Sequence, residues 1–185
     1  MSNLVIFLGP PGAGKGTQAA KISKEKNLAH ISTGDMLREH VSKGTELGNT
    51  AKTLLDQGKL VPDSLVIEML IERLNSDDCK NGAILDGFPR TIAQAESLDK
   101  ISNQFNILKV IVFDANHDEL VRRILHRGET SGRSDDTEES ISVRLKVYEL
   151  DTTPLIEYYK QKNLVVKINA IGEVEDIYNI ISGEF

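Results

Sequence analysis

Phe7-Leu8-Gly9-Pro10-Pro11-Gly12-Ala13-Gly14-Lys15-Gly16-Thr17-Gln18 is the stretch whose reading decides the fold. The apolar run Leu4-Val5-Ile6-Phe7-Leu8 leads into it and reads as a buried strand. The Ala-rich segment from Gln18 to Lys26 behind it favours a helix. Strand, glycine loop and helix form the setting in which a G-x-x-x-x-G-K loop binds phosphate. Without Cβ atoms in the way, the loop turns inward and aims successive N–H groups into one concavity, at the positive end of the following helix. Lys15 adds a full positive charge for the terminal phosphates. Gly16 stands where Ser or Thr usually follows the lysine, and Thr17 comes one place later. The hydroxyl that would bind Mg²⁺ directly is therefore displaced, and metal contact through water is expected.

Composition narrows the setting. The 185 residues suit one domain with a real core, and 27% charged and 39% hydrophobic residues are ordinary for a soluble protein. A formal net charge of −6 argues against nonspecific binding to nucleic acid or to an anionic membrane. The expected ligand is itself anionic, so positive charge must be gathered locally, and the placing of the eight arginines becomes the central question. Cys79 is the sole cysteine, which excludes an internal disulfide and a multi-cysteine structural zinc site. The chain runs at once into its first strand and has no apolar run of bilayer length, so a cytoplasmic protein is expected.

Further apolar runs at Leu28–Ile31, Ala83–Leu85, Val110–Phe113 and Leu164–Ile168 alternate with helical segments. That rhythm predicts an α/β protein, a five-stranded parallel sheet covered by helices on both faces. Between Thr33 and Val61 the rhythm changes: Asp35–Val41 and the stretch carrying Leu47, Ala51, Leu54 and Leu55 read as two small helices, an appendage on the sheet. Pro62-Asp63-Ser64 restarts the core with a helix cap. In Leu85-Asp86-Gly87-Phe88-Pro89-Arg90, Asp86 is a carboxylate at a strand end, the place from which phosphate-loop proteins orient Mg²⁺. Asp114 has the same form and reads as a solvated strand end or cap.

From His117 to Gly128 the pattern is helical, with Arg123 and Arg127 one turn apart beside the apolar stripe and Arg122 pointing to solvent. The polar stretch Gly128–Asp136 reads as a mobile loop between that helix and one capped near Asp136 or Thr137. Asp135, Asp136, Glu138 and Glu139 read mostly as a solvated helix start, with a role for Asp135 or Asp136 in holding the neighbouring loop shut as the alternative. Arg144 falls on the inward stripe of its helix and needs an anionic partner there, an internal carboxylate or a bound phosphate. Pro154 interrupts the helix, and Val174, Ile177, Tyr178 and Ile181 mark a closing one. His30, His40, His117 and His126 show no metal spacing.

Together these residues resemble a short-lid adenylate kinase, within the nucleoside monophosphate kinase family. The likeness is carried by Gly9–Thr17, Ser32-Thr33-Gly34-Asp35-Met36-Leu37-Arg38, Leu85–Arg90 with Gln94, and Arg127-Gly128-Glu129-Thr130-Ser131-Gly132-Arg133. The resemblance implies a P-loop NTPase-type α/β/α fold as a single domain: a core of 1–32, 62–126 and 138–185, a monophosphate-binding segment 33–61 and a short lid 127–137. It implies that Gly12, Ala13, Gly14, Lys15, Gly16 and Thr17 hold ATP phosphates, with Arg123, Arg127 and the backbone near Gly172 beside them. Thr33, Arg38, Lys59, Leu60, Val61, Gly87, Phe88, Pro89, Arg90 and Gln94 would hold AMP, and Arg133 and Arg144 would reach the phosphates between the nucleotides. Lys15, Arg90, Arg127, Arg133 and Arg144 would carry the catalysis, with Asp86 meeting Mg²⁺ through water.

The implied reaction is reversible transfer of the γ-phosphoryl group of ATP to AMP, giving two ADP, by a monomer. Six of the eight arginines fall in this implied site, which suits guanidinium groups that bind phosphate bidentately. Thr33 and Gln94 set the choice of base in this reading; the plain alternative for Thr33 is a helix cap. A UMP/CMP kinase is the competing enzyme. A nucleotide-gated switch would need N-K-x-D and D-x-x-G segments, and the chain has neither. A noncatalytic ATP-binding module needs no second phosphate site.

Overall fold

Side chains of the first strand turn alternately to two buried cores, and this sets the layers. The computed structural model describes residues 2–101, 104–131, 133 and 135–185. Along the chain the elements are β1 (Ser2–Leu8), α1 (Lys15–Lys26), β2 (Ala29–Ser32), α2 (Thr33–Ser42), α3 (Glu46–Asp56), α4 (Asp63–Leu74) and β3 (Ala83–Asp86). They continue with α5 (Ile92–Lys100), β4 (Phe105–Asp114), α6 (His117–Ser131), α7 (Glu138–Val147), α8 (Pro154–Lys160), β5 (Val165–Asn169) and α9 (Val174–Ser182). The strands form one parallel sheet in the order β2-β3-β1-β4-β5.

Leu4, Ile6 and Leu8 of β1 face one core, shared with Val66, Met69 and Leu70 of α4, Leu98 of α5 and Tyr159 of α8. Val5 and Phe7 face the other, shared with Ile22 of α1, Leu120 of α6 and Ile177 and Ile181 of α9. Both faces being covered, the strand has no polar side to show, which is why it reads as an unbroken apolar run. Phe7 stacks on Phe113 of β4 with ring centroids 5.1 Å apart. The order reverses at β1, so the carboxyl ends of β1 and β3 open a crevice at the switch point, where ligands of such sheets bind.

Several boundaries differ from the sequence reading. β4 begins at Phe105, well before the apolar run at Val110, and a register shift opposite Leu4 and Val5 leaves Leu108 half exposed. That half of the strand is not buried on both faces, so Asn106 and Lys109 break its apolar run. α6 does not stop at Gly128 but runs to Ser131. A Cβ at Gly128 would lie 3.0 Å from the Asp136 carbonyl oxygen, so this glycine admits a close neighbour rather than ending a helix. The expected loop is shortened accordingly, and Gly132 and Ser134 within it lie outside the described residues. α7 is capped by Thr137, whose hydroxyl accepts from the Ser140 N–H. Asp135 and Asp136 are buried, not solvated. The cap position of α4 is Pro62, which offers no side-chain acceptor, and the carboxylate of Asp63, the first residue of the helix, is engaged by Thr91 and Gln94. A π-helical turn, Tyr148–Thr152, joins α7 to α8, with Pro154 at the first turn of α8.

Candidate active site

The crevice deepens into a cleft of about 1000 Å³. Its walls are the glycine loop, the start of α1, α2, the segment after α3, the loop after β3, α6, α7 and the loop after β5. Gly12, Ala13, Gly14, Lys15, Gly16, Thr17, Arg123, Arg127 and Gly172 all line it. So do Thr33, Arg38, Lys59, Leu60, Val61, Asp86, Gly87, Pro89, Arg90, Gln94, Arg133 and Arg144. Phe88 is the exception: its side chain is packed into the core below the cleft.

At Gly12 the backbone is left-handed, φ 84°, and an added Cβ would sit 2.7 Å from the Leu120 carbonyl oxygen and 2.8 Å from Ile124 Cγ1. The loop thus rests on α6, and no side chain fits between them. Lys15 begins α1 and folds back, its Nζ donating to the carbonyls of Gly9 at 2.7 Å and Pro10 at 2.9 Å. Burial lowers its pKa to about 8; Asp86 opposes the shift, and the charges of Arg90, Arg144 and Arg127 add to it. An ammonium with this pKa gains most when a phosphate arrives.

Five of the six arginines expected in the site are held by carboxylates. Arg38 Nη2 donates to Asp35 Oδ1 at 2.5 Å, and Arg133 Nη2 reaches the same oxygen at 3.1 Å. Arg123 donates to Glu119 Oε1 at 2.6 Å and to the Ala170 carbonyl at 2.9 Å, tying α6 to the loop after β5. Arg127 grips Asp136 with two bonds, 2.7 Å and 2.5 Å. Arg144 donates to Asp136 Oδ1 at 2.8 Å and lies 3.2 Å from Asp135 Oδ2. Burial raises the Asp136 carboxyl, but Arg127 and Arg144 outweigh it and hold the pKa below the ordinary 3.8.

Among the described residues Arg90 alone of the six has no carboxylate within reach; its Nε donates to the Gly87 carbonyl at 2.8 Å. Burial lowers its pKa, and the neighbouring Arg144 charge adds to the shift. Asp86 and Asp135 oppose the shift from farther off, but a largely buried guanidinium with no carboxylate in contact is costly, and its position in a cleft marks a place for an anion. Arg122 lines the mouth, with its side chain 70% exposed and bonded to Glu119. Arg73 lies outside the cleft, held by Asp78.

At the end of β3, Asp86 is mostly buried. Burial raises its carboxyl, and His30 and Lys15 more than reverse this, keeping it ionised. A Cβ added at Gly16 would stand 3.2 Å from Asp86 Oδ2, so the glycine leaves the space between loop and carboxylate open. One ionised carboxylate beside a phosphate loop suits Mg²⁺, which takes one or two carboxylates and completes its shell with phosphates and water. Among the described residues no group of three or more His, Cys, Asp or Glu could hold a metal by itself.

A family model described as Adenylate kinase matches residues 7–164. The chain belongs to the adenylate kinase family. It is therefore a nucleoside monophosphate kinase, a phosphotransferase. An adenylate kinase of Leptospira biflexa is 48% identical over 179 residues, covering 96% of each chain. One of Thermus thermophilus is 45% identical over 176 residues, covering 94% of this chain and 92% of its own. One of Methanothrix thermoacetophila is 45% identical, covering 96% of each.

Against the expected adenylate kinase site, the sequence pointed to Asp86 and offered Asp135 or Asp136, but it matched no carboxylate to a particular arginine. Asp35 and Glu119 stand three and four residues before their arginines, a spacing readable on a helix. His30, 3.6 Å from Asp86, Asp63 beside Gln94, and the inward turn of Asp135 and Asp136 depend on contacts between distant segments and leave no local signal. Thr33 does not cap α2. Ser32 does, while the Thr33 hydroxyl donates to the Gly87 carbonyl at 2.8 Å, joining the two segments expected to hold AMP.

Proposed function

We propose that the cleft binds ATP on the side of the glycine loop and α6, binds AMP on the side of α2, α3 and the loop after β3, and passes the γ-phosphoryl group between them reversibly, giving two ADP. The observation that carries this reading is the convergence of Lys15 and six arginines on one cleft, with Arg90 among the described residues in contact with no carboxylate. A single triphosphate on the loop would leave Arg38 and Arg90, across the cleft, without a purpose.

AMP phosphate is largely ionised near neutral pH, so the transfer calls for positioning and charge rather than a strong base. The loop N–H groups and Lys15 hold the β- and γ-phosphates, and Lys15 exchanges its loop carbonyls for phosphate oxygens. Arg38 and Arg90 hold the AMP phosphate. Arg127, Arg133 and Arg144, released from Asp136, Asp35 and Asp135, stabilise charge on the oxygens of the transferred group. Segment 33–61 and the short lid 127–137 cover the ligands and exclude water, which would otherwise take the phosphoryl group. Asp86 would hold Mg²⁺ through water; when bound, the ion neutralises charge on the ATP phosphates. Thr33 and Gln94 would favour adenine, and the reading extends to a cytoplasmic monomer.

The test is a steady-state assay with Mg²⁺ and ATP plus AMP, UMP or CMP in turn. AMP should be the best acceptor by a wide margin; equal or better turnover with UMP or CMP would overturn the choice of substrate.

A further inference from the structure

We propose that Asp63 is a positioning residue that fixes the amide of Gln94 in one orientation, so that the site reads the hydrogen-bonding edge of the acceptor base. The inference rests on the reading of Gln94 as a contact to the AMP base, and it concerns a residue which that reading does not include.

The two ends of a glutamine amide have nearly the same shape and opposite chemistry, so a binding site that uses one must decide which end faces which way. Gln94 is 2% exposed, sits in the first turn of α5 and lines the cleft. Its Nε2 donates to Asp63 Oδ1 at 2.7 Å, and its Oε1 accepts from the Arg90 N–H at 2.7 Å. An ionised carboxylate only accepts and a backbone N–H only donates. Turning the amide over would set oxygen against oxygen and N–H against N–H, so the two bonds together allow a single orientation.

Asp63 is itself held. It opens α4, and its Oδ2 accepts from the Thr91 hydroxyl at 2.9 Å. The Thr91 oxygen in turn accepts from the Gln94 N–H at 3.2 Å and caps α5. Three side chains from two helix starts therefore close a ring, and Arg90, the unpaired cation of the cleft, supplies the fourth contact. The carboxylate at the start of α4 thus serves a neighbouring helix start, while Pro62 occupies the cap position of its own helix.

An amide has two N–H groups and two lone pairs. One of each is used in the ring, leaving one donor and one acceptor in a fixed order. That pair complements an edge with an acceptor beside an amino group, such as N1 and the 6-amino group of adenine. A 6-oxo purine presents N1–H and a carbonyl oxygen in the same places, which is the reverse order. A site built this way rejects the 6-oxo base by leaving its own groups unpaired.

The test compares AMP with IMP, which differ only at this edge, at saturating ATP. In the wild type kcat/KM should favour AMP strongly. Asp63→Ala should lower kcat/KM for AMP about tenfold, the worth of one ordinary hydrogen bond, mainly through KM, and should leave the value for IMP nearly unchanged. KM for ATP should not move. Asp63→Asn keeps an acceptor oxygen for Gln94 and should restore most of the preference. A purely structural role for Asp63 would lower AMP and IMP activity by the same factor, or lower the melting temperature with the AMP/IMP ratio intact; either result overturns the proposal. A wild type that uses AMP and IMP equally well would instead overturn the reading of Gln94 as a base contact, and the role of Asp63 with it.

Discussion

Asp136→Asn isolates the charge that holds the lid-side arginines, because the replacement has nearly the same shape and opens no cavity. The Asp136 side chain is 0% exposed and accepts two bonds from Arg127 and one from Arg144. Removing one partner of a buried pair costs about 3–5 kcal/mol, since the other charge is left uncompensated. Arg127 retains partial exposure, and Arg144 keeps the Asp135 carbonyl at 2.9 Å, so the lower end, about 3 kcal/mol, applies here. For a chain of this size that is a drop in Tm of about 6–12 °C. The folded pKa of Asp136 is depressed, so its stabilisation is present above the ordinary carboxylate value of 3.8 and is lost as pH falls through the native value. The gap between wild type and variant should therefore be full at neutral pH and close in acid. It should also narrow when a dinucleotide of two adenosines joined by five phosphates is bound, because phosphate oxygens then occupy the same guanidinium groups. Thermal melts with and without that ligand are the assay. A loss under about 2 °C for the free protein would refute the reasoning.

Arg90→Ala is expected to behave in the opposite way: phosphoryl transfer to AMP should fall by about 10²–10³-fold, while Tm holds or rises, because a buried cation without a carboxylate has been removed. Near-normal turnover would count heavily against Arg90 as the anchor of the second nucleotide. Lys15, with its native pKa near 8 against 10.5 ordinarily, should make ATP affinity fall as pH rises above about 8, approaching tenfold per unit, as titrations across that range can test. The free protein should meanwhile be relieved of the cost of burying this charge between about pH 8 and 10.5, where the unfolded chain holds the extra proton, and Lys15→Met should flatten both trends. Gly12→Ala must force a Cβ into the Leu120 carbonyl in a left-handed backbone, so a destabilisation of about 2–4 kcal/mol by denaturant melts is expected, together with weakened ATP binding.

Where residues were buried on both sides, the sequence was easy to read. β1, β3 and β4 each contain an apolar run, and the glycine loop carries its own spacing, so the middle of the sheet and the loop at its end were legible from Leu4 to Thr17 and from Ala83 to Asp86. Legibility failed where a residue's role comes from something far along the chain. Gly128 reads as a helix stop because glycine usually is one, yet its lack of a Cβ serves the approach of Asp136. Asp63 reads as a cap because it opens a helix, yet its carboxylate serves Thr91 and Gln94, 28 and 31 residues away.

The sequence alone determined the local character of the chain: a glycine loop with phosphate-binding spacing at the end of a parallel strand, and an acidic protein with six of its eight arginines in the motif-bearing segments. These are local properties, carried by spacing along a few residues and by residue type. Only the tertiary structure decided which carboxylate holds which arginine and which guanidinium stands free. Those pairings depend on distances between segments that the fold brings together, and electrostatic energy follows distance in space rather than separation along the chain.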